Sequence, residues 1–275
     1  MLPLHYGYIL LTLSHITLWY KYLGYKTSLN NHILGEHTMM TGKQLVEKIE
    51  ADNQPLFEAS QMNITHWFKD PARTKEDYLL HFQGRLANEY MNMVGIAEAI
   101  AKLPTATSAE EMMLLTKQAA DEANHFRLVK EVLEHIEGTD TVDTQKYLDA
   151  EFARKANDKG AATLKTYDVE NDPVALAVYQ LVAEGRAATS WACMAKIGAY
   201  DSFVADKYKK IAADEKFHSN IGAIRLEKLQ DADPTVADRA IEMAKHMRKE
   251  LYEIITGNTC DTPAARELAA TAYDW

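Results

Sequence analysis

Two stretches of this chain repeat one polar pattern, Asp121-Glu122-Ala123-Asn124-His125 and Asp214-Glu215-Lys216-Phe217-His218, and each has a lone glutamate upstream, Glu89 and Glu184. Residues three apart on a helix share a face, so each Glu-x-x-His turns a carboxylate and an imidazole towards one point. One such motif is expected by chance in a chain with 10 histidines and 40 acidic residues. The spacing carries more. Glu89 lies 33 residues before Glu122, and Glu184 lies 31 before Glu215. If each interval folds as an antiparallel helical hairpin, its turn falls midway, near residue 105 and near residue 200. Both places carry a break, Leu103-Pro104-Thr105-Ala106-Thr107-Ser108 and Gly198-Ala199-Tyr200-Asp201-Ser202. Each glutamate then stands level with its partner motif, about 20 Å from the turn at about 1.5 Å per residue.

Two such hairpins packed together bring four glutamates and two histidines to one level. The flanking residues argue for burial there: Leu86, Met93 and Ile96 around Glu89, Phe126 and Val129 after His125, Leu181 and Trp191 around Glu184, Ile211 and Ile221 around the second motif. A buried carboxylate without a cation costs several kcal/mol or must be protonated. Two divalent cations cancel four carboxylates, so a metal pair is the economical reading.

This constellation resembles the ferritin-like di-iron carboxylate superfamily, over about residues 75 to 230 and at all six ligand positions. The resemblance implies an all-α fold, a ferritin-like four-helix bundle of two hairpins with a long crossover and additional flanking helices. It implies Glu89 and Glu184 as terminal metal ligands, Glu122 and Glu215 as bridging carboxylates, and His125 and His218 as one nitrogen ligand per metal. Asp121 and Asp214 sit where many members carry an aspartate that holds an imidazole N–H. The expected cofactor is two iron ions, with O₂ as co-substrate; the ligand set of carboxylates and imidazoles also suits manganese. The implied chemistry is O₂ activation through a peroxo or high-valent di-iron oxidant and attack on a substrate bond.

Missing residues narrow the branch. Four residues after the first motif histidine, where reductase small subunits carry a radical-forming tyrosine, stands Val129. Four after the third-helix glutamate, where multicomponent hydroxylases place a threonine, stands Ala188, with Thr189 one step on. Four before the second motif glutamate, where arylamine N-oxygenases add a histidine, stands Ile211. Two cysteines, Cys193 and Cys260, cannot supply the iron domain of rubrerythrins. Tyr179, five residues before Glu184, matches a tyrosine near the metals in ligand-binding oxidases related to the reductase subunit, and is a candidate catalytic residue beside the bridging Glu122 and Glu215.

Two functions are therefore expected from the resemblance. One is an O₂-dependent oxidase or monooxygenase acting on a small organic substrate, with electrons from a separate ferredoxin or reductase. The other is a ferroxidase or iron-storage protein resembling bacterioferritin. The long crossover and the extra N-terminal helices favour the first. A homodimer is the expected assembly.

Composition agrees with a folded helical chain: 47% hydrophobic and 25% charged over 275 residues, with few alternating runs that would read as strands. A net charge of −10 argues against nucleic acid as a partner. The cysteines offer neither zinc spacing nor a disulfide framework, which suits the cytoplasm. Residues 1 to 40 are richer in Tyr, His and Leu, and their apolar run Tyr8 to Tyr20 is short of the roughly 20 residues that span a bilayer. They are expected to be an N-terminal extension, outside the functional protein or a membrane anchor, with the bundle domain over residues 41 to 275.

Helix punctuation follows. Short helices are expected over Gln44–Ala51 and Leu56–Phe68, the second closed by Asp70-Pro71. Thr74 with Asp77 reads as a capping pair, Ser108 with Glu111 as a capping box, and Gly138 as a helix-ending glycine. The crossover, about residues 139 to 171, holds a helical piece from Gln145 to Ala156. Asp172-Pro173 opens the third bundle helix and Ser202 the fourth, which runs to about Gln230. Asp233-Pro234 opens a further helix near whose middle Ala240, Met243, Met247 and Leu251 make an apolar stripe, for core packing or a dimer contact. A weaker helix precedes Trp275. Phe82, Met93, Phe126, Tyr179 and Trp191 are candidates for an apolar pocket.

Overall fold

A computed structural model describes residues 40–105, 107–155, 167–169 and 171–272. The N-terminal extension, the middle of the crossover and Trp275 lie outside the described residues. Every regular element among those described is helical. In chain order they are α1 (Gly42–Lys69), α2 (Lys75–Ala101), α3 (Ala109–Glu137), α4 (Thr144–Lys155), α5 (Pro173–Tyr179), a π-helical turn (Gln180–Glu184), α6 (Gly185–Ile197), α7 (Ser202–Ala232), α8 (Val236–Asn258) and α9 (Pro263–Ala270). None is long and apolar enough to cross a membrane.

The two expected hairpins form, α2 with α3 and α5–α6 with α7. Local chemistry fixes their ends. Thr74 and Asp77 make a reciprocal capping box at the start of α2. Gly138 and Gly198 close α3 and α6 in the left-handed region, at φ 78° and 66°, where a side chain would be strained. Asp201 caps α7, its carboxylate accepting the Val204 N–H at 3.0 Å. His135, near the end of α3, reaches Asp201 in the α6–α7 turn at 2.6 Å, so the two hairpin turns stand at opposite ends of the paired hairpins.

Two expectations need correction. The two short N-terminal helices are one continuous α1 running through Pro55. A proline inside a helix removes a hydrogen bond and costs about 3 kcal/mol. The apolar face nevertheless continues across it, from Leu45 and Ile49 to Leu56, Ile64 and Trp67, all buried. This face lies along α6, α7, α8 and α9, and that burial outweighs the break. At α3 the Ser108 hydroxyl caps the Glu111 N–H as expected, but the Glu111 side chain does not return the bond. It pairs with Arg225 at 3.0 Å.

The stripe on α8 is core: Ala240, Met247 and Leu251 are buried, and Met243 packs against the same cluster. The apolar interior falls into two large clusters. One includes Ile96, Leu115, Val182, Ala183 and Leu226; the other includes Phe82, Leu86, Leu128, Val129, Trp191 and Ile211. On each of the four hairpin rods the boundary between them falls at the glutamates and histidines singled out above. A polar layer is thus sealed above and below by hydrocarbon.

Candidate metal centre

All six residues of that layer are buried, none more than 3% exposed. They form two groups whose ligand atoms lie within 4.8 Å of one another: Glu89, Glu122, His125 and Glu215, and Glu122, Glu184, Glu215 and His218. Glu122 and Glu215 belong to both. The Nδ1 of His125 faces Glu89 and Glu122 at 3.5 Å each and Glu215 at 3.7 Å. The Nδ1 of His218 faces Glu122 at 3.2 Å and Glu215 at 3.3 Å.

The opposite ring nitrogens are held by the two aspartates, in a crossed arrangement. His125 Nε2 meets Asp214 Oδ2 at 3.3 Å, and His218 Nε2 meets Asp121 Oδ2 at 3.1 Å. Each aspartate therefore serves the histidine of the other motif. A carboxylate only accepts, so Nε2 donates a proton to its aspartate, and it is Nδ1 that would give up its proton and offer a lone pair to a metal at the centre of the cluster. Asp121 is held in turn by Lys117.

The donor set fits divalent cations, as its unmet bonds show. Glu89 Oε2, both oxygens of Glu122 and His125 Nδ1 are buried with no hydrogen-bond partner. Buried carboxylates this close repel one another. Burial, then Glu215 and Glu122, holds the Glu184 carboxyl well above the usual range. Burial opposes charge on His125, yet the Glu122 and Glu89 carboxylates that its Nδ1 faces at 3.5 Å, with the charge of Glu215, push its pKa up to about 12. His218 is likewise opposed by burial and raised by Glu122 and Glu215, to about 11. Protons on the imidazoles answer the same negative charge that metal cations would neutralise.

The π turn places the ligand helix. Its i→i+5 winding brings residues five apart, which an α-helix sets on different faces, towards the same side. Tyr179 thus comes within electrostatic reach of Glu184, Glu122 and Glu215. Its hydroxyl donates to Asn92 Oδ1 at 3.0 Å. Gly222 of α7 lies against this turn: a Cβ there would stand 2.5 Å from Leu181 N and 2.7 Å from Ala177 O, so only glycine fits.

Several residues of the site were not singled out by the sequence. Gln118 donates to Glu184 Oε1 at 3.0 Å, Gln180 to Gln118 Oε1 at 2.6 Å, and Arg225 to Gln180 Oε1 at 3.2 Å. With Glu111 closing the chain on Arg225, this buried file of donors runs from the surface to one candidate ligand. The available signal was a polar residue four before a ligand on the same buried face, Gln118 before Glu122 and Gln180 before Glu184. Of the pocket candidates, Phe82, Tyr179 and Trp191 are buried, Phe82 and Trp191 packing on Tyr208 at ring distances of 5.7 and 4.5 Å. Met93 and Phe126 are half-buried.

No family model, no curated protein and no solved structure matches this chain. The functional reading therefore stands on the buried carboxylate and imidazole cluster, whose residues can hold metal ions.

Proposed function

We propose that the chain is a ferritin-like four-helix bundle carrying a di-metal centre, and that it works as a di-iron O₂-dependent oxidase or monooxygenase on a small organic substrate. The observation that carries this reading is the sharing of Glu122 and Glu215 between two ligand groups, which is what two adjacent metals bridged by carboxylates require. Glu89 and His125 would complete one metal's set, Glu184 and His218 the other's. Two irons held there would supply two electrons to O₂ together.

The protein's own part is positional and electrostatic. Asp214 and Asp121 fix the two imidazoles with Nδ1 inward. Glu89 and Glu122, with unengaged oxygens, are free to change their mode of binding as charge at the site changes. The two apolar clusters exclude water above and below the layer. Tyr179 lies next to the ligands with its proton held on Asn92, a candidate donor of a proton or an electron. Electrons for repeated turnover come, on this reading, from a separate ferredoxin or reductase.

The test is anaerobic loading with Fe(II) followed by one addition of O₂, with O₂ uptake and absorbance recorded. A transient visible band with O₂ consumed in proportion to the iron pair is expected, and Glu122→Ala abolishes both. Growth of a mineral core in a cage-sized assembly would instead assign the chain to iron storage.

A further inference from the structure

Three of the four hairpin rods carry a large aromatic side chain seven residues from their ligand glutamate, all on the same side of the layer: Phe82 before Glu89 on α2, Trp191 after Glu184 on α6, and Tyr208 before Glu215 on α7. Seven residues make two helical turns, so these rings stand about 10 Å along the bundle from the ligands. All three are buried, and they touch. The Trp191 and Tyr208 ring centroids are 4.5 Å apart, and those of Tyr208 and Phe82 5.7 Å.

From there the ring contacts continue to the surface. Phe82 meets His81 at 5.2 Å, His81 meets Trp67 at 5.0 Å, Trp67 meets Tyr78 at 5.5 Å, and Tyr78 meets Tyr200 at 4.9 Å. Each distance is that of direct ring contact. Tyr200 lies in the α6–α7 turn and is 39% exposed. A file of rings thus joins the region beneath the layer to solvent.

The chemistry along this file is graded. Indole and phenol give up an electron more readily than phenyl or neutral imidazole, so the tryptophans and tyrosines are carriers, with Phe82 and His81 a bridge between them. Burial, then Arg85, holds the His81 imidazole well below its usual pKa, which keeps it neutral. At the inner end an electron deficit is costly. The Arg85 guanidinium lies over the Trp191 indole, 5.2 Å from its centroid, and opposes positive charge there. The buried Tyr208 hydroxyl has no hydrogen-bond partner among the described residues, so its proton has no base to go to. Farther out the Arg73 guanidinium lies 4.8 Å over Trp67. Tyr200, at the outer end, faces water that can take its proton. A deficit created inside therefore runs downhill to Tyr200.

We propose that this aromatic file drains oxidising equivalents from the metal centre to Tyr200 when the O₂-oxidised metals find no substrate. The inference rests on the di-iron reading and adds a protective route to it. One electron passes from Trp191 to the oxidised pair. Electrons then move inward along the file, from Trp67 and from Tyr78, until Tyr200 has lost one electron and, to water, its hydroxyl proton. A small thiol in solution restores Tyr200 by giving a hydrogen atom to its phenoxyl oxygen, and two thiol sulfurs so oxidised join as a disulfide.

The test uses full-length protein loaded anaerobically with Fe(II), its iron content measured first, then given O₂ without organic substrate or thiol. A nitroso spin trap is present, with catalase to remove free peroxide, and trapped sites are mapped by peptide mass spectrometry. A trap adduct on Tyr200 is expected, and on Tyr78 in Tyr200→Phe. Added thiol should suppress the adduct. Trp67→Phe keeps a ring in place but removes a carrier; it should lose most of the Tyr200 adduct and gain oxidised Trp191, with iron content unchanged. Should Trp67→Phe not fold, Tyr78→Phe interrupts the same file nearer the surface and should lower the Tyr200 adduct likewise. Iron-loaded protein that consumes O₂ with no adduct on Tyr78 or Tyr200, or with an equal Tyr200 adduct in Trp67→Phe and Tyr78→Phe, overturns this inference alone and leaves the rings as core packing. Protein that takes up no iron, or holds iron and consumes no O₂, overturns the di-iron reading and this inference with it.

Discussion

The two halves of the polar layer repeat one another in sequence but differ in their support. Glu184 is tied by Gln118, which is tied by Gln180, which is tied by Arg225, itself held by Glu111 at the surface. Among the described residues Glu89 has no such file behind it, and its Oε2 is buried without a hydrogen bond. A ligand fixed by successive donors keeps its geometry whether or not a metal is bound. A ligand without them adopts its geometry from the metal. The half containing Glu184 is therefore preorganised and the half containing Glu89 adaptable.

The comparison breaks most completely at the residues common to both halves. Glu122→Ala removes an oxygen donor from both groups, so metal content per chain should fall from about two to near zero with helical content by circular dichroism retained. His218→Ala should empty the Glu184 half first. Next in size are the supports. Gln118→Leu deprives Glu184 of its donor and should weaken metal binding in that half by about 10- to 100-fold, leaving the Glu89 half near its original affinity; two-phase Fe(II) or Co(II) titrations read this directly. Asp214→Asn should weaken the half containing His125, not the half containing its own neighbour Glu215, because the supports cross. Weakening of the His218 half would contradict the crossed arrangement.

Acidity sharpens the contrast between metal-free and metal-loaded protein. In the metal-free protein His125 and His218 have pKa values raised from 6.5 to about 12 and about 11, and Glu184 is raised as well. A group raised on folding binds more protons in the folded state, so its stabilisation is complete below its unfolded pKa and is lost as pH climbs towards the folded one. Metal-free protein should thus lose thermal stability progressively from about pH 6.5 upwards, towards about pH 11 and about pH 12. Metal binding needs the deprotonated ligands and strengthens over the same interval. The difference in unfolding temperature between the two forms should widen with pH; a constant or shrinking gap would contradict the assignment. The smallest effect is expected at Gly222. Alanine there overpacks α7 against the π turn and should cost about 1–3 kcal/mol in chemical denaturation, with the Glu184 half more disturbed than the Glu89 half.

The helical class, both hairpin turns and most helix ends were legible in the sequence because short-range chemistry decides them. Thr74, Gly138, Asp172 and Gly198 act within one turn of themselves. The layer residues were legible because a repeated spacing of about 30 residues relates positions along straight rods. What was hidden depends on neighbours remote in the chain. Pro55 reads as a break, and only the face buried along α6 to α9 keeps α1 continuous through it. Glu111 reads as a capping partner and is drawn off by Arg225, more than a hundred residues later. The crossing of the aspartates follows from the way α3 and α7 face each other, which no spacing within one motif encodes.

The central claim is a pair of metals bridged by Glu122 and Glu215. It is tested most directly by anaerobic titration of the metal-free protein with Fe(II), reading bound metal per chain by elemental analysis. The account predicts two irons per chain, and none or nearly none in Glu122→Ala. A chain that binds no iron, or a Glu122→Ala variant that retains both, would contradict it.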